Sequence, residues 1–370
     1  MTSDELVSWN EEVEEILADK LPVPVICLLR CVCKRWSSWP CGGRGGRIER
    51  PNLVFSFLDD DRPSAATYNP ALRRWYRLPL YNLRPSIPRL QFWTPRGDVY
   101  LVAADGGLLC FMVGFATPQK DVKFIVVNPI ANTWRQLPPY PRNQPAKPPL
   151  VCGMHLDQTR GTYKLILAGQ SLTFDEEEAR ATHVFDSASL EWTSGGDLPQ
   201  EIFGVQKQCH FWDGSFHYVD CCANRVQAYD EGNGFWNMVL PVIPSFLCSP
   251  TIVECSGNIA LVGPIGKSAK LEIMALDPSR TEWRTMDVLP SEPALEAFLH
   301  SLVPGPHHSS LLSVGKENVI YVLNSKADVA IVYDALQRRW SFLPPIPSLR
   351  HNSLEVRVVF AITPTFSTPV

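Results

Sequence analysis

The sequence predicts a mainly β fold: a six-bladed β-propeller closed by a C-terminal strand and preceded by a small helical segment. Three observations predict it. A phrase in which Asn or Asp precedes a Trp by six positions occurs six times in the 370 residues. Successive Trp residues of this set lie 44 to 59 residues apart, close to the length of a propeller blade. Between them, short alternating apolar runs are separated by turn residues, which is typical of strands rather than helices.

Each copy of the phrase predicts the end of a third strand, a tight turn and a fourth strand. The Asn or Asp side chain can accept hydrogen bonds from the turn backbone. The Trp begins the outermost strand, where its ring can cover the face between neighbouring blades and bury ~150–250 Å². Leu-Pro then ends the strand, because Pro cannot donate to a continuing ladder. We therefore assign a packing role in the blades to Trp75, Trp134, Trp192, Trp236, Trp283 and Trp340.

The remaining runs complete four strands per blade, which we term a to d. Asp213-Gly214, between two alternating runs, predicts a hairpin in which both turn residues have positive φ. The first phrase is preceded only by NLVFSFLDD (52–60), too short for both a and b, whereas LEVRVVFAITP (354–364) remains after the sixth. We expect this last run to supply the missing inner strand, since an unpaired sheet edge invites aggregation. The propeller is thus predicted over 51–364, with 365–370 as a tail.

The set of phrases, written Tyr/Phe-Asp-Pro-x4-Trp-x-x-Leu-Pro, resembles the kelch repeat, especially its plant-type variant. The resemblance covers about residues 51 to 364 and implies a kelch-like propeller. The chain departs from the family pattern in one respect, because the Gly-Gly pair that usually follows strand b is mostly missing. WD-repeat blades are the competing assignment, but a Gly-His pair does not occur in the sequence, and Trp-Asp occurs once, at Trp212-Asp213, rather than as a repeated signature.

Residues 1–40 have a different pattern, which predicts two short helices. Ser8 and Glu11 form a capping box, and apolar residues follow at helical spacing until Leu21-Pro22. Pro24 suits the first turn of a second helix. Each predicted helix has one apolar face, and two helices this short cannot bury both faces by packing only on each other. We therefore predict a docking element, joined to the propeller by a Gly/Arg linker at 41–50.

The stretch EEVEEILADKLPVPVICLLRCVCKRW (11–36) resembles an F-box, with the family's spacing between Leu21-Pro22 and the Val32–Trp36 segment. The resemblance implies docking onto the SKP-family adaptor of a cullin-based ubiquitin ligase. The contacts it carries over are Val13, Ile16, Leu17, Leu21, Pro22, Leu29, Val32 and Trp36. Trp9-Asn10 replaces the opening Leu-Pro of the family, and one residue is added before Leu21. A helical cap on the propeller, or a segment with weakened adaptor affinity, stays open as an alternative.

Composition argues against several other classes of protein. A formal net charge of −4 does not suit a dedicated nucleic-acid or membrane-surface binder. The eleven cysteines are odd in number and lack a C-x-x-C pair, which favours reduced thiols in the cytoplasm or the nucleus. No phosphate-binding, nucleophile-elbow or metal-ligating motif occurs. We therefore expect no enzyme activity, cofactor or metal.

In a four-stranded blade, the b–c and d–a loops share one face of the ring, which we call the loop face. The a–b and c–d turns share the opposite face, the turn face. The loop-face connections are long and irregular here, so we place target recognition there. Arg and Trp are enriched at hot spots, and the candidate residues are Arg84, Arg89, Trp93, Arg96 and Arg142.

The resulting hypothesis is the substrate receptor of a ubiquitin ligase that binds an unknown target protein. One alternative is a propeller scaffold that no longer binds the adaptor. The other is a propeller enzyme or small-ligand sensor, which would need His, Tyr or Cys side chains converging on the loop face.

Overall fold

The computed structural model describes a defined part of the chain, and all structural statements below concern that part. It comprises residues 52–59, 62–70, 73–78, 99–113, 122–129, 131, 133–141, 149–170, 180–199, 207–220, 224–238, 240–266, 270–292, 295, 298, 311–324, 329–345, 358–362 and 370. The two helices predicted in residues 1–40, and the 41–50 linker, lie outside these residues.

The described strands form six sheets, numbered here in chain order. Sheet 1 contains β1 (Asn52–Asp59), β2 (Arg62–Asn69), β3 (Arg74–Leu78) and β25 (Val358–Ile362). Sheet 2 contains β4 (Val99–Asp105), β5 (Leu108–Val113), β6 (Lys123–Asn128) and β7 (Thr133–Gln136). Sheet 3 contains β8 (Pro149–Asp157), β9 (Thr162–Gln170), β10 (Thr182–Asp186), β11 (Glu191–Gly195) and the short β12 (Lys207–Gln208).

The other three sheets have four strands each. Sheet 4 contains β13 (His210–Trp212), β14 (Ser215–Asp220), β15 (Arg225–Asp230) and β16 (Phe235–Asn237). Sheet 5 contains β17 (Thr251–Cys255), β18 (Asn258–Pro264), β19 (Leu271–Leu276) and β20 (Trp283–Val288). Sheet 6 contains β21 (Leu311–Lys316), β22 (Val319–Asn324), β23 (Ala330–Asp334) and β24 (Arg339–Phe342).

The sheets form a ring around a central channel. Their innermost strands contact one another in the cyclic order β25, β4, β8, β13, β17 and β21, and β21 returns to β25. Neighbouring strands within each sheet are antiparallel, whereas β12 pairs in parallel with β8 and joins sheet 3 to the start of sheet 4. The prediction of a mainly β propeller is therefore confirmed.

Sheet 1 is completed by chain segments from both ends of the propeller. β25 pairs antiparallel with β1, with Asn52 opposite Ile362 and Ser56 opposite Val358. The predicted closing run therefore does supply the inner strand of this sheet. Because β25 also contacts β4 and β21, the same strand joins the first sheet to both neighbours.

Six hydrophobic clusters fill the spaces between neighbouring sheets. Each cluster includes one repeat Trp, contributed by the later sheet of the pair. The positions are Trp75 between sheets 6 and 1, Trp134 between 1 and 2, Trp192 between 2 and 3, Trp236 between 3 and 4, Trp283 between 4 and 5, and Trp340 between 5 and 6. The indoles therefore pack against the sheet that precedes their own.

Three of these indoles also donate a hydrogen bond to the preceding sheet. The Nε1 atom of Trp75 lies 2.7 Å from the carbonyl oxygen of Pro344. Trp192 and Trp283 make the same bond to Pro138 and Pro241, both at 3.1 Å. Each of these prolines follows the Leu that ends strand d of the preceding sheet. The recurrent Leu-Pro thus not only ends one sheet but provides the acceptor for the Trp of the next.

Two other indoles use a side-chain acceptor instead. Trp236 donates to Thr182 Oγ1 at 2.8 Å, and Trp340 lies 3.4 Å from Asp287 Oδ1. Asp287 also accepts a hydrogen bond from the Tyr333 hydroxyl at 2.9 Å. The position of the indole is therefore repeated around the ring, while the chemistry of its acceptor varies.

In five of the six phrases, the acidic or amide residue accepts hydrogen bonds that hold the c–d turn. Asn128 Oδ1 accepts from the backbone N–H of Ala131 at 3.0 Å, and Asp277 Oδ1 accepts from that of Thr281 at 2.7 Å. The Ser279 hydroxyl also donates to Asp277, and these hydrogen bonds lower the pKa of Asp277 to about 2. The predicted turn-holding role is confirmed, as is the Asp213-Gly214 hairpin, whose φ angles are 48° and 77°.

The residue two positions before the Trp is left-handed in four of the turns. The φ angles are 49° at Arg73, 60° at Leu190, 73° at Gly234 and 51° at Arg338. Only glycine adopts this region without steric cost, because a Cβ approaches the following carbonyl oxygen. Three of the four turns therefore contain local backbone strain.

Removing one repeat indole should destabilise the whole ring. Trp283 is 7% exposed, so Trp283→Ala leaves a cavity between sheets 4 and 5 and an unpaired Pro241 carbonyl. We expect a loss of about 3–5 kcal/mol in the free energy of unfolding, measured by urea denaturation. The control Leu336→Ala, at a side chain that is 76% exposed, should change it by less than about 0.5 kcal/mol. Equal unfolding midpoints for the two variants would contradict the packing role.

The strained turns provide a reciprocal test. Leu190 is 45% exposed and left-handed, so Leu190→Gly should raise the free energy of unfolding by about 0.5–1 kcal/mol through relief of strain. Gly234→Ala, at the same turn position of sheet 4, should lower it by about 1 kcal/mol. Both changes are measured by thermal and urea unfolding, and shifts of the same sign would show that backbone strain does not decide the outcome.

Candidate functional site

The residues predicted to contact partners lie outside the described part of the chain. These are the eight adaptor contacts Val13, Ile16, Leu17, Leu21, Pro22, Leu29, Val32 and Trp36, and the five target contacts Arg84, Arg89, Trp93, Arg96 and Arg142. Both sets stay predictions. Within the described residues, the candidate site is a cavity in the central channel.

This cavity has a volume of about 280 Å³ and is lined by residues of all six innermost strands. Most of its polar side chains come from the last three residues of the a strands, close to the a–b turns, so it lies at the turn-face end of the channel. The side chains that define it are Asp105 from β4, His155 from β8, His210 and Phe211 from β13, Glu254 from β17 and Lys316 from β21.

An ion-pair network crosses the channel at this level. Lys316 Nζ lies 2.9 Å from Asp105 Oδ1 and 3.7 Å from Glu254 Oε2. The second carboxylate oxygen of Asp105 accepts a hydrogen bond from the backbone N–H of Leu156 at 2.9 Å. Burial disfavours the ammonium group, but Asp105 and Glu254 outweigh it and raise the pKa of Lys316. One cation therefore connects sheet 6 to sheets 2 and 5, and Asp105 extends the network to sheet 3.

Two imidazoles complete the wall of the cavity. The ring of His155 stacks on Phe211 with centroids 3.6 Å apart, and its Nδ1 lies 3.8 Å from Asp105 Oδ2. Burial lowers the pKa of His155, although Asp105 opposes that shift. Burial and the charge of Lys316 lower the pKa of His210 to about 4. Both histidines are therefore neutral at pH 7.

The cavity carries a net negative charge. Two carboxylates face one ammonium group, and the two imidazoles are uncharged. The Glu254 side chain is 24% exposed, and burial raises its pKa despite the nearby Lys316.

Glycine allows the inner strands to approach closely enough to build this site. A Cβ on Gly315 would lie 1.9 Å from the carbonyl oxygen of Glu254, and one on Gly153 would lie 2.6 Å from Cys209 Cβ. Neither position can therefore hold a side chain without moving a neighbouring strand. The close approach at Gly315 places Glu254 beside Lys316.

The arrangement suits the binding of polar groups. The described residues contain no group of three or more His, Cys, Asp or Glu side chains that could hold a metal ion. The thiol of Cys209 lines the cavity, but burial raises its pKa, so the thiolate form that acts as a nucleophile is disfavoured.

Among the described residues, no helix has the length and apolar character needed to cross a membrane.

Sequence reasoning did not find this cluster. Asp105, His155, Glu254 and Lys316 are far apart in the chain and come together because each lies within the last three residues of the inner strand of its sheet. The available signal was a polar residue at the end of an apolar a strand, directly before the a–b turn. The a strands had to be aligned with one another before that signal could be read.

The fold and the channel define the class as a β-propeller. No family model matches the chain. A structure described as a nidogen/laminin complex superposes with a TM-score of 0.50 over 85% of this chain and 99% of that chain, at 7% identity. That similarity supports the fold alone.

Similarity to named proteins is more specific than the similarity of fold. F-box only protein 6 of Arabidopsis thaliana is 24% identical over 91% of this chain and 69% of its own length. Protein UNUSUAL FLORAL ORGANS of the same plant is 22% identical over 95% and 83%. A third Arabidopsis thaliana relative, an F-box/kelch-repeat protein, is 20% identical over 96% and 88%. The resemblance to plant-type F-box/kelch-repeat proteins is therefore confirmed.

Removing the central cation should destabilise the ring in a pH-dependent way. Lys316→Met leaves two buried carboxylates without their counter-charge, and we expect a loss of about 2 kcal/mol at pH 7. In the variant, the folded-state pKa of Glu254, which burial already raises, rises further above that of the unfolded chain because Lys316 no longer opposes the shift. A carboxyl group whose pKa is raised in the folded state stabilises the folded protein at pH values below its unfolded-state pKa of about 4. This stabilisation is lost as the pH rises through the folded-state pKa.

The deficit of Lys316→Met relative to the wild type should therefore shrink as the pH falls from 7 towards about 4. Urea denaturation across this range measures it. Lys316→Arg, which keeps the positive charge, is the matched control and should show a smaller deficit with little pH dependence. A deficit of Lys316→Met that is the same at every pH would contradict the electrostatic account.

Proposed function

We propose that this chain is the substrate-recognition subunit of a SKP–cullin–F-box-type ubiquitin ligase. In this proposal, residues 1–40 dock on the SKP-family adaptor, which connects the chain to a cullin. Residues 51–364 form a six-bladed kelch-like propeller that binds a target protein for ubiquitination. The chain itself performs no catalysis, and it acts in the cytoplasm or the nucleus.

One observation carries the proposal. Relatives whose names identify them as F-box proteins align over 91% and 96% of this chain, so the similarity extends well beyond one repeat. F-box proteins are typically substrate receptors, and a rigid propeller suits that role because it holds surface loops in fixed relative positions. The packed clusters between every pair of neighbouring sheets supply that rigidity.

In this proposal, adaptor binding and target binding are assigned to different parts of the sequence. The apolar stripes of residues 13–36 exceed what two short helices can bury together, so an adaptor provides the missing partner surface. Target contacts are assigned to the loop face, at Arg84, Arg89, Trp93, Arg96 and Arg142. In this arrangement the adaptor and the target bind different parts of the chain.

Adaptor binding tests the proposal directly. Full-length chain, a version lacking residues 1–40 and the point variant Leu29→Asp should be co-expressed with a SKP-family adaptor. We expect the full chain to co-purify with the adaptor in a stable complex and both altered forms to lose it, since a buried aspartate at this contact is unfavourable by several kcal/mol. Size-exclusion chromatography with mass determination measures the complex.

The matched control is Arg280→Gln, which removes an exposed charge from the propeller and should leave the complex intact. If the full chain forms no complex, the reading as a scaffold without adaptor binding replaces the proposal. If Leu29→Asp binds as well as the full chain, the assignment of the contact residues is wrong.

A further inference from the structure

A second cavity, of about 260 Å³, lies at the seam between sheets 6 and 1, where the ring closes. Its walls include Tyr68 and Arg73 from sheet 1, and Val332, Arg339 and Phe342 from sheet 6. Arg73 lies in the c–d turn that follows β2, so the groove opens towards the turn face and the outer edge of the ring. It is separate from the central channel and from the loop face.

Two arginines at this groove have no acidic partner among the described residues. Arg73 and Arg339 are both exposed, and neither guanidinium lies within ion-pair distance of a described carboxylate. Asp334 also lines the groove, but it is buried, and its Oδ1 accepts the backbone N–H groups of Leu336 and Gln337, both at 3.1 Å. The groove therefore presents two positive charges to solvent.

At three other seams of the ring, a charged side chain binds the neighbouring sheet. Between sheets 4 and 5, Arg280 pairs with Asp213 at 2.7 Å. Between sheets 3 and 4, Lys164 pairs with Glu231 at 2.6 Å. Between sheets 5 and 6, Arg338 donates to the carbonyl oxygen of Met286 at 3.1 Å. Arg73 holds the same turn position as Arg338, yet no such bond joins it to the described residues of sheet 6.

The floor of the groove is apolar. Tyr68 is buried, Val332 is half-buried, and the ring of Phe342 is 39% exposed at the rim. A surface with two unpaired guanidinium groups beside an accessible aromatic ring is complementary to a peptide that carries an anionic side chain next to an apolar one. Arginine is suited to this role because its planar group binds a carboxylate or a phosphate with two parallel hydrogen bonds.

We infer that this groove binds an acidic segment of a partner protein. An anionic side chain of the segment pairs with Arg73 and Arg339, and an adjacent apolar side chain packs on Phe342. The inference deepens the proposed function, on which it rests, by naming a contact for the target protein. It adds the closing seam of the propeller to the surfaces that recognise targets.

Direct binding to purified full-length chain tests this without the adaptor. The probes are fluorescein-labelled peptides of one Glu/Leu pattern, the same pattern with Gln for Glu, and the same pattern with phosphoserine for Glu. Fluorescence anisotropy should show that an anionic peptide binds at least about tenfold more tightly than the Gln peptide, and that its affinity falls as salt is added. The Glu and phosphoserine arms show which anion the groove prefers, and tighter binding of either one supports the inference.

The variant Arg73→Asn/Arg339→Gln removes both charges, and Asn tolerates the left-handed backbone at position 73. We expect it to lose at least about tenfold in affinity for the anionic peptide, while Arg280→Gln at the paired seam keeps the wild-type affinity. Thermal unfolding should confirm that both variants are folded, as expected for exposed side chains.

Three results would overturn the inference. They are equal affinities for the anionic and Gln peptides, an unchanged affinity in the double variant, and the absence of binding by any peptide. None of them depends on adaptor binding, so a failure here is distinguishable from a failure of the proposed function.

Discussion

The contact between each repeat Trp and the sheet before it is the interaction on which this molecule depends. A single four-stranded repeat cannot bury its own apolar faces, and packing against its neighbours buries them. The indole covers part of that surface and, at Trp75, Trp192 and Trp283, also bonds to the proline that ends the preceding sheet. The apolar surface of each sheet is thereby covered by the next sheet. Residues that are distant in the sequence, such as Trp192 and Pro138, come within hydrogen-bond distance of each other.

Closure converts this chain of neighbour contacts into a ring. Because β25 pairs with β1, sheet 1 packs against sheet 6 through the same kind of cluster as every other pair of sheets. The inner strands then converge on one axis, and side chains that end those strands meet there. The network of Asp105, Glu254 and Lys316 is a direct product of that convergence. At the exposed edge of the closing seam, Arg73 and Arg339 have no ion-pair partner among the described residues.

Most of the architecture could be predicted from the sequence because it depends on local signals that repeat. The Asn or Asp before the turn, the Trp and the Leu-Pro each have a local physical role, and the closing strand followed from an unused apolar run. The acceptors of the indoles could not be predicted, since Thr182 and Asp287 replace a proline carbonyl at two seams. The channel cluster and the seam groove could not be found either, because they join residues from several blades. Close approaches such as that at Gly315 depend on the distance between strands of neighbouring sheets, which the sequence of either strand does not specify.

The order in which the strands appear has a consequence for biosynthesis. β1 is among the first strands to leave the ribosome, but its inner partner β25 follows every other strand of the ring along the chain. Throughout translation, the nascent protein therefore carries an unpaired strand edge and an incompletely covered Trp75. The inner edge of β1 can be paired only after residues 358–362 have been synthesised.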